Sequence, residues 1–204
     1  MFADDLVLLA PTCGSMQILV NTCATYCEEY GLAFNTKKAK SMIFGKRFDT
    51  LNPANLLLNG EIIQYVSELR YLGCLIMAGK EFTYSCRTDL ASFRRLANSI
   101  LSASVKPNEQ VSLRLLYSLS VPILTYASEV KRFSYADMHD CNVALNDAIR
   151  RIFSYNRWES IRILRQQFGY RDLYTTFASR RRNFLFNFPA LRNHVITALS
   201  RAVS

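Results

Sequence analysis

The sequence predicts an α+β fold, and three observations predict it. Short apolar runs broken by turn residues dominate the first 80 positions, around a single helical stretch. From about residue 84 the apolar residues recur instead at helical spacing. Charge changes at the same place: residues 1–85 carry 7 Lys+Arg against 8 Asp+Glu, net −1, whereas residues 86–204 carry 18 against 8, net +10.

In chain order, residues 1–10 (MFADDLVLLA) form an apolar, strand-like run closed by Pro11, with Asp4 and Asp5 near its start. Ser15 is a candidate cap for a helix in which Met16, Leu19, Val20, Cys23 and Cys27 recur at helical spacing, and Gly31 stands where a helix commonly stops. Short strands follow at Ala39–Phe44, Leu56–Leu58, Ile62–Gln64 and Tyr71–Ile76. Asn59-Gly60 is a hairpin dipeptide between the second and third, so this stretch is read as a small antiparallel set.

The helical part opens with a stripe of Leu90, Phe93, Ala97, Ile100 and Leu101, followed by another of Val111, Leu115, Leu116 and Leu119, with Pro107 and Pro122 as punctuation. Ser134 and Asp137 make a capping pattern ahead of a third helix whose inner face is Met138, Cys141, Leu145, Ile149 and Ile152. Further helices are expected from about Glu159 and from Asp172, and Pro189 separates a last one. A boundary falls at 78–84, around Gly79. This gives three regions: 1–80, 81–155 and a basic helical 156–204.

Composition excludes several classes. With 204 residues, 50% hydrophobic and 20% charged, the chain can bury a core and is not a disordered tail. No apolar run approaches the roughly 20 residues of a membrane span, and two aspartates by position 5 do not suit a secretory leader. The expectation is an intracellular protein without a membrane partner. The six cysteines form no C-x-x-C pair, and only His139 and His194 could join them on zinc, so they are read as buried or free thiols. Cys23 and Cys27, one helical turn apart, lack two further ligands. The positive excess after residue 85 suits a polyanionic partner such as nucleic acid.

The chemistry-bearing feature is the Asp4–Asp5 pair. Carboxylates among apolar neighbours are costly without a compensating charge, and a divalent cation supplies one. Two Mg²⁺ ions held by several carboxylates can activate a hydroxyl and steady a leaving oxygen in phosphoryl transfer. By itself Asp-Asp is better explained by a solvated turn or a helix start. Its setting, FADDLVLLA, resembles the [F/Y]-A-D-D signature of the reverse-transcriptase palm, in particular that of non-LTR (LINE-type) retrotransposons.

Three later segments resemble the same family in the same order. NTKKAKSMIFG (35–45) is similar to the basic segment beyond the palm helix, LNGEIIQYVSELRYLGCLI (58–76) to the strands leading into the Y-L-G-x-x-I primer grip, and SVPILTYASE (120–129) to a stretch of the thumb-like region. The family usually carries a tryptophan soon after that glutamate, where this chain has Lys131-Arg132-Phe133. The likeness covers most of residues 1–155; beyond that only basic, helical character is shared.

The resemblance implies a partial polymerase palm followed by an all-helical thumb and connection. It also implies Mg²⁺ on the catalytic carboxylates Asp4 and Asp5, phosphate contacts from Lys38 or Lys40, a primer grip at Tyr71, Leu72 and Gly73, and an RNA template with a DNA primer as partners. Arg87, Arg94 and Arg95, opposite the apolar stripe of the first C-terminal helix, are candidates for tracking phosphates. Arg180, Arg181 and Arg182, interleaved with Phe177, Phe184 and Phe186, mix cations and rings as single-strand binders do, although Phe177 and Phe184 also share a face suited to core packing. The third palm aspartate and the fingers are not within residues 1–204, so a fragment inactive by itself is expected. Two other readings stand beside it: a basic helical nucleic-acid-binding module, and a non-functional remnant of a decayed element.

Overall fold

The structure, a computed structural model, describes residues 5–46, 48, 52–103 and 108–187. It is a mixed α+β architecture with two small sheets, divided into two compact units at Thr83/Tyr84. Among the described residues no helix is long and apolar enough to cross a membrane.

In the first unit the expected opening strand is not formed over Leu6–Ala10, and Asp5 is a single bridge residue. No described strand pairs along this run, and Leu9 is 82% exposed. Helix α1 spans Cys13–Glu29 and is capped by Thr12 rather than Ser15. The Thr12 hydroxyl accepts from the Ser15 N–H at 3.1 Å while Ser15 Oγ accepts from the Thr12 N–H at 3.2 Å, a reciprocal capping box. At the other end Gly31 takes φ +64°, its N–H donates to the Glu28 carbonyl, and Leu32 N–H reaches the Cys27 carbonyl at 2.7 Å. That pattern is a Schellman stop, which needs the left-handed residue glycine supplies. Met16, Val20 and Ala24 face the core with Leu56, Leu58 and Ile63, whereas Leu19 points largely outward.

The first sheet runs β1 (Lys40–Ser41), β3 (Glu61–Tyr65), β2 (Leu56–Leu58) in spatial order. It is mixed rather than antiparallel: β2 and β3 form the Asn59-Gly60 hairpin, both turn residues having positive φ, but β1 pairs with β3 in parallel. Gln17 of α1 covers the outer edge of β2, giving Nε2–H to the Leu57 carbonyl at 2.7 Å and accepting its N–H at 2.8 Å. The second sheet contains β4 (Glu68–Tyr71), β5 (Cys74–Met77) and β6 (Thr83–Ser85). The expected single strand Tyr71–Ile76 is instead folded back on itself at Leu72-Gly73, φ +45° and +76°, pairing Tyr71 with Cys74.

The second unit is helical: α2 (Arg87–Leu101), α3 (Glu109–Leu115), a π turn over Leu116–Ser120, α4 (Val121–Thr125), α5 (Tyr135–Ile152), α6 (Arg162–Gln167) and α7 (Leu173–Asn187). Pro122 does not end the second helical stretch. It sits just inside α4, directly after the wide turn, where Val121 N–H reaches back to the Leu116 carbonyl. A proline removes one helical donor and crowds the carbonyl four residues back, and the widened turn accommodates this. The buried face carries Leu113, Leu116, Ser120 and Leu124, while Val111 and Leu119 are exposed.

Helices α2 and α5 run parallel. Cys86, the residue before α2, lies with its sulfur 3.2 Å from Asp137 Oδ1 near the start of α5, while Asn98 in the last turn of α2 meets Arg151 in the last turn of α5. Between them Phe93, Ala97, Cys141, Leu145 and Ile149 share one core with Leu113, Leu124, Leu173 and Phe177. All six cysteines are free thiols, and Cys74, Cys86 and Cys141 are buried. Hydrogen bonding to Cys141, reinforced by burial, pushes the Cys86 thiol well above the ordinary range.

Candidate nucleic-acid interface

The carboxylate pair is only half visible: Asp4 lies outside the described residues and Asp5 is exposed. Among the described residues no three His, Cys, Asp or Glu side chains converge as a metal site would require, including around Cys23 and Cys27. One exposed carboxylate does not make a complete Mg²⁺ site. No chemical step through the ion follows from these residues.

Lys38 and Lys40 are both exposed, on either side of Ala39. Lys38 N–H closes a turn onto Asn35, and the Lys40 ammonium donates to Gln64 Oε1 on β3 at 2.7 Å. Tyr71, Leu72 and Gly73 form the tip of the β4–β5 hairpin. Leu72 there is 38% exposed in a left-handed backbone that a leucine adopts at a cost.

In the helical unit Arg87, Arg94 and Arg95 are exposed along α2, on the side away from Leu90, Phe93 and Ala97. Arg95 is steadied by Ser92 Oγ at 3.0 Å. The parallel packing adds a cation that helical spacing on α2 could not reveal: Arg151 of α5 donates to Asn98 Oδ1 at 2.7 Å, and Asn98 is one turn beyond Arg94. Nearby acids are occupied. Asp147 pairs with Arg150 at 3.0 Å, and the Glu159 carboxylate accepts the Asn156 N–H.

The α7 arginines divide. Arg180 is tied to the Thr125 carbonyl at 3.0 Å and to Glu129 at 3.3 Å, so it braces the turn after α4. Arg181 and Arg182 are exposed beside Leu185 and Phe186, the latter 84% exposed. Of the interleaved rings, Phe177 is core and stacks on Phe133 with centroids 4.8 Å apart, and Phe184 is half-buried. Lys131 is buried, its ammonium 2.8 Å from Asp89 of α2 and 5.6 Å from the Tyr126 ring centre.

Sequence reasoning missed Arg151, Arg157 and Trp158. The legible signal for the last two was an Arg-Trp dipeptide in a polar stretch between helices; Arg151 had none, because its significance comes from Asn98. Compared with protein-family models, curated proteins and solved structures, the chain matches none.

Proposed function

We propose that this chain is part of an RNA-directed DNA polymerase of the non-LTR retrotransposon type. In this reading residues 1–80 are a portion of the palm, the helical region 81–155 acts as a thumb, and 156–204 extends its basic surface. Asp4 and Asp5 belong to a nucleotidyl-transfer centre whose remaining carboxylates come from elsewhere in the parent enzyme, together with Mg²⁺. RNA template and DNA primer are the partners. The observation that carries the reading is the Leu72-Gly73 turn within the Y-L-G-C-L-I segment. An exposed leucine held at φ +45° is disfavoured, and a retained local cost of this kind points to a task at the hairpin tip.

A second reading is favoured by the ridge of Arg94, Arg95 and Arg151. There the chain acts as a basic helical nucleic-acid-binding module, with the sheet region as scaffold. One comparison separates the two. Leu72→Asn should leave the hairpin intact, since Asn-Gly suits this turn. If the tip grips a primer end, Leu72→Asn weakens binding of an RNA–DNA hybrid with a recessed 3′ end and spares a blunt hybrid. Equal binding of both ends by wild type and variant would favour the module and overturn the polymerase reading. Primer extension on an RNA template by residues 1–204 alone is expected to be nil. Synthesis lost on Asp4→Asn would refute the claim that ligands are missing.

A further inference from the structure

The loop between α5 and α6 presents the chain's single tryptophan, Trp158, 83% exposed. This loop is pinned at several points. Tyr155 N–H donates to the Arg150 carbonyl at 2.8 Å, Glu159 N–H to the Asn156 carbonyl at 3.1 Å, and the Glu159 carboxylate accepts Asn156 N–H in return. Arg150 Nε–H then holds the Glu159 carbonyl at 3.0 Å. Arg157 and Trp158 therefore occupy the two central positions of a turn closed from both sides. A large ring held open to water in an ordered turn leaves an apolar face unused.

Basic residues outnumber acids around it, Arg157 and Arg162 against Glu159. Arg157 and Arg162 are exposed on either side in sequence, and the loop leaves α5 one residue beyond Arg151, the residue joined to Asn98 at the end of the α2 arginine ridge. The nearest acid in sequence, Glu159, is engaged with the Asn156 N–H. We infer that Trp158 is a stacking platform for an unpaired base of single-stranded nucleic acid, with Arg157 and Arg151 on the adjoining phosphates and the Arg94–Arg95 ridge continuing the backbone track. A ring face accepts any base, while the guanidinium groups select the polyanion and give the contact its salt dependence. This assignment rests on the nucleic-acid reading above and adds to it the form of the ligand and the residue that meets a base.

Because there is one tryptophan, its fluorescence reports this site alone. The full chain is titrated with a short single-stranded oligothymidylate and with an abasic phosphodiester of equal length, binding being followed separately by anisotropy of a label on the oligonucleotide. Quenching of Trp158 by the oligothymidylate but not by the abasic strand is expected, with both strands bound. Trp158→Ala should weaken the oligothymidylate roughly tenfold and leave the abasic strand unchanged, and Trp158→Phe should restore most of the loss. Equal oligothymidylate affinity in wild type and Trp158→Ala, with unchanged fluorescence, overturns the platform and leaves the nucleic-acid reading standing. Failure of both strands to bind overturns both. Self-association lost in Trp158→Ala, with no quenching by either strand, would give the surface to a second copy of the chain and overturn the platform.

Discussion

Replacing Lys131 with methionine should be among the most damaging single changes in the helical unit. The side chain is 1% exposed and its ammonium lies 2.8 Å from the Asp89 carboxylate, itself 12% exposed. At an effective dielectric of 20 the gross attraction at that separation is about 6 kcal/mol, comparable to the several kcal/mol per ion required to remove both charges from water. The pair therefore contributes little net stability, but either member left behind is an uncompensated buried charge, costing about 3–5 kcal/mol. Lys131→Met and Asp89→Asn should each lose that much, a large share of the ~5–15 kcal/mol that holds a domain folded. Asp89 is also the acid in the first turn of α2, where it favours the positive helix end, so the double change Lys131→Met with Asp89→Leu should recover most of the loss, though not all. Urea denaturation followed by far-ultraviolet circular dichroism supplies the three differences. A Lys131→Met midpoint equivalent to less than about 1 kcal/mol, or a double variant as weak as the worse single, would refute the buried-pair argument.

Two further outcomes follow from local features. Burial pushes the Tyr117 phenol from 10.0 up to about 12, and its oxygen has no hydrogen-bond partner among the described residues, although the ring stacks on Tyr170 at 3.7 Å. The folded state thus keeps a proton that the unfolded chain releases. Stability from this group is full below pH 10 and lost as pH rises toward about 12. Tyr117→Phe should raise stability near neutrality by roughly 1 kcal/mol and flatten the alkaline decline, as read from melts across that range; a less stable variant would count against it. Leu72→Asn should stabilise the first unit by about 0.5–1 kcal/mol, because asparagine tolerates the left-handed backbone better. Lowered protection of the β4–β5 amides in hydrogen exchange would contradict that.

Sequence logic reached furthest where a structure is made by neighbours along the chain. Asn59-Gly60 forms its hairpin, Gly31 closes α1, and Ser134 caps α5, whose buried residues include Cys141, Leu145, Ile149 and Ile152. Each depends on a few adjacent torsions or on a fixed helical period. The same logic failed where a local choice was settled by a competitor only slightly displaced. Thr12 captured the cap from Ser15, and the Leu72-Gly73 turn split a strand-like run.

The candidate site divides along the same line. The arginines of α2 were legible because helical spacing places them opposite an apolar stripe. Arg180's engagement with Thr125 and Glu129 was not, since the partners are 55 and 51 residues away.

Residue order alone thus determined the mixed α+β class, the basic bias of the second half, and the short-range turns and caps. Tertiary packing decided that Lys131 is a buried partner of Asp89, that Arg151 joins the α2 face through Asn98, and that Trp158 stands in the open. Periodicity reports which side of an element is apolar, whereas contacts between distant residues depend on which elements pack and in which direction.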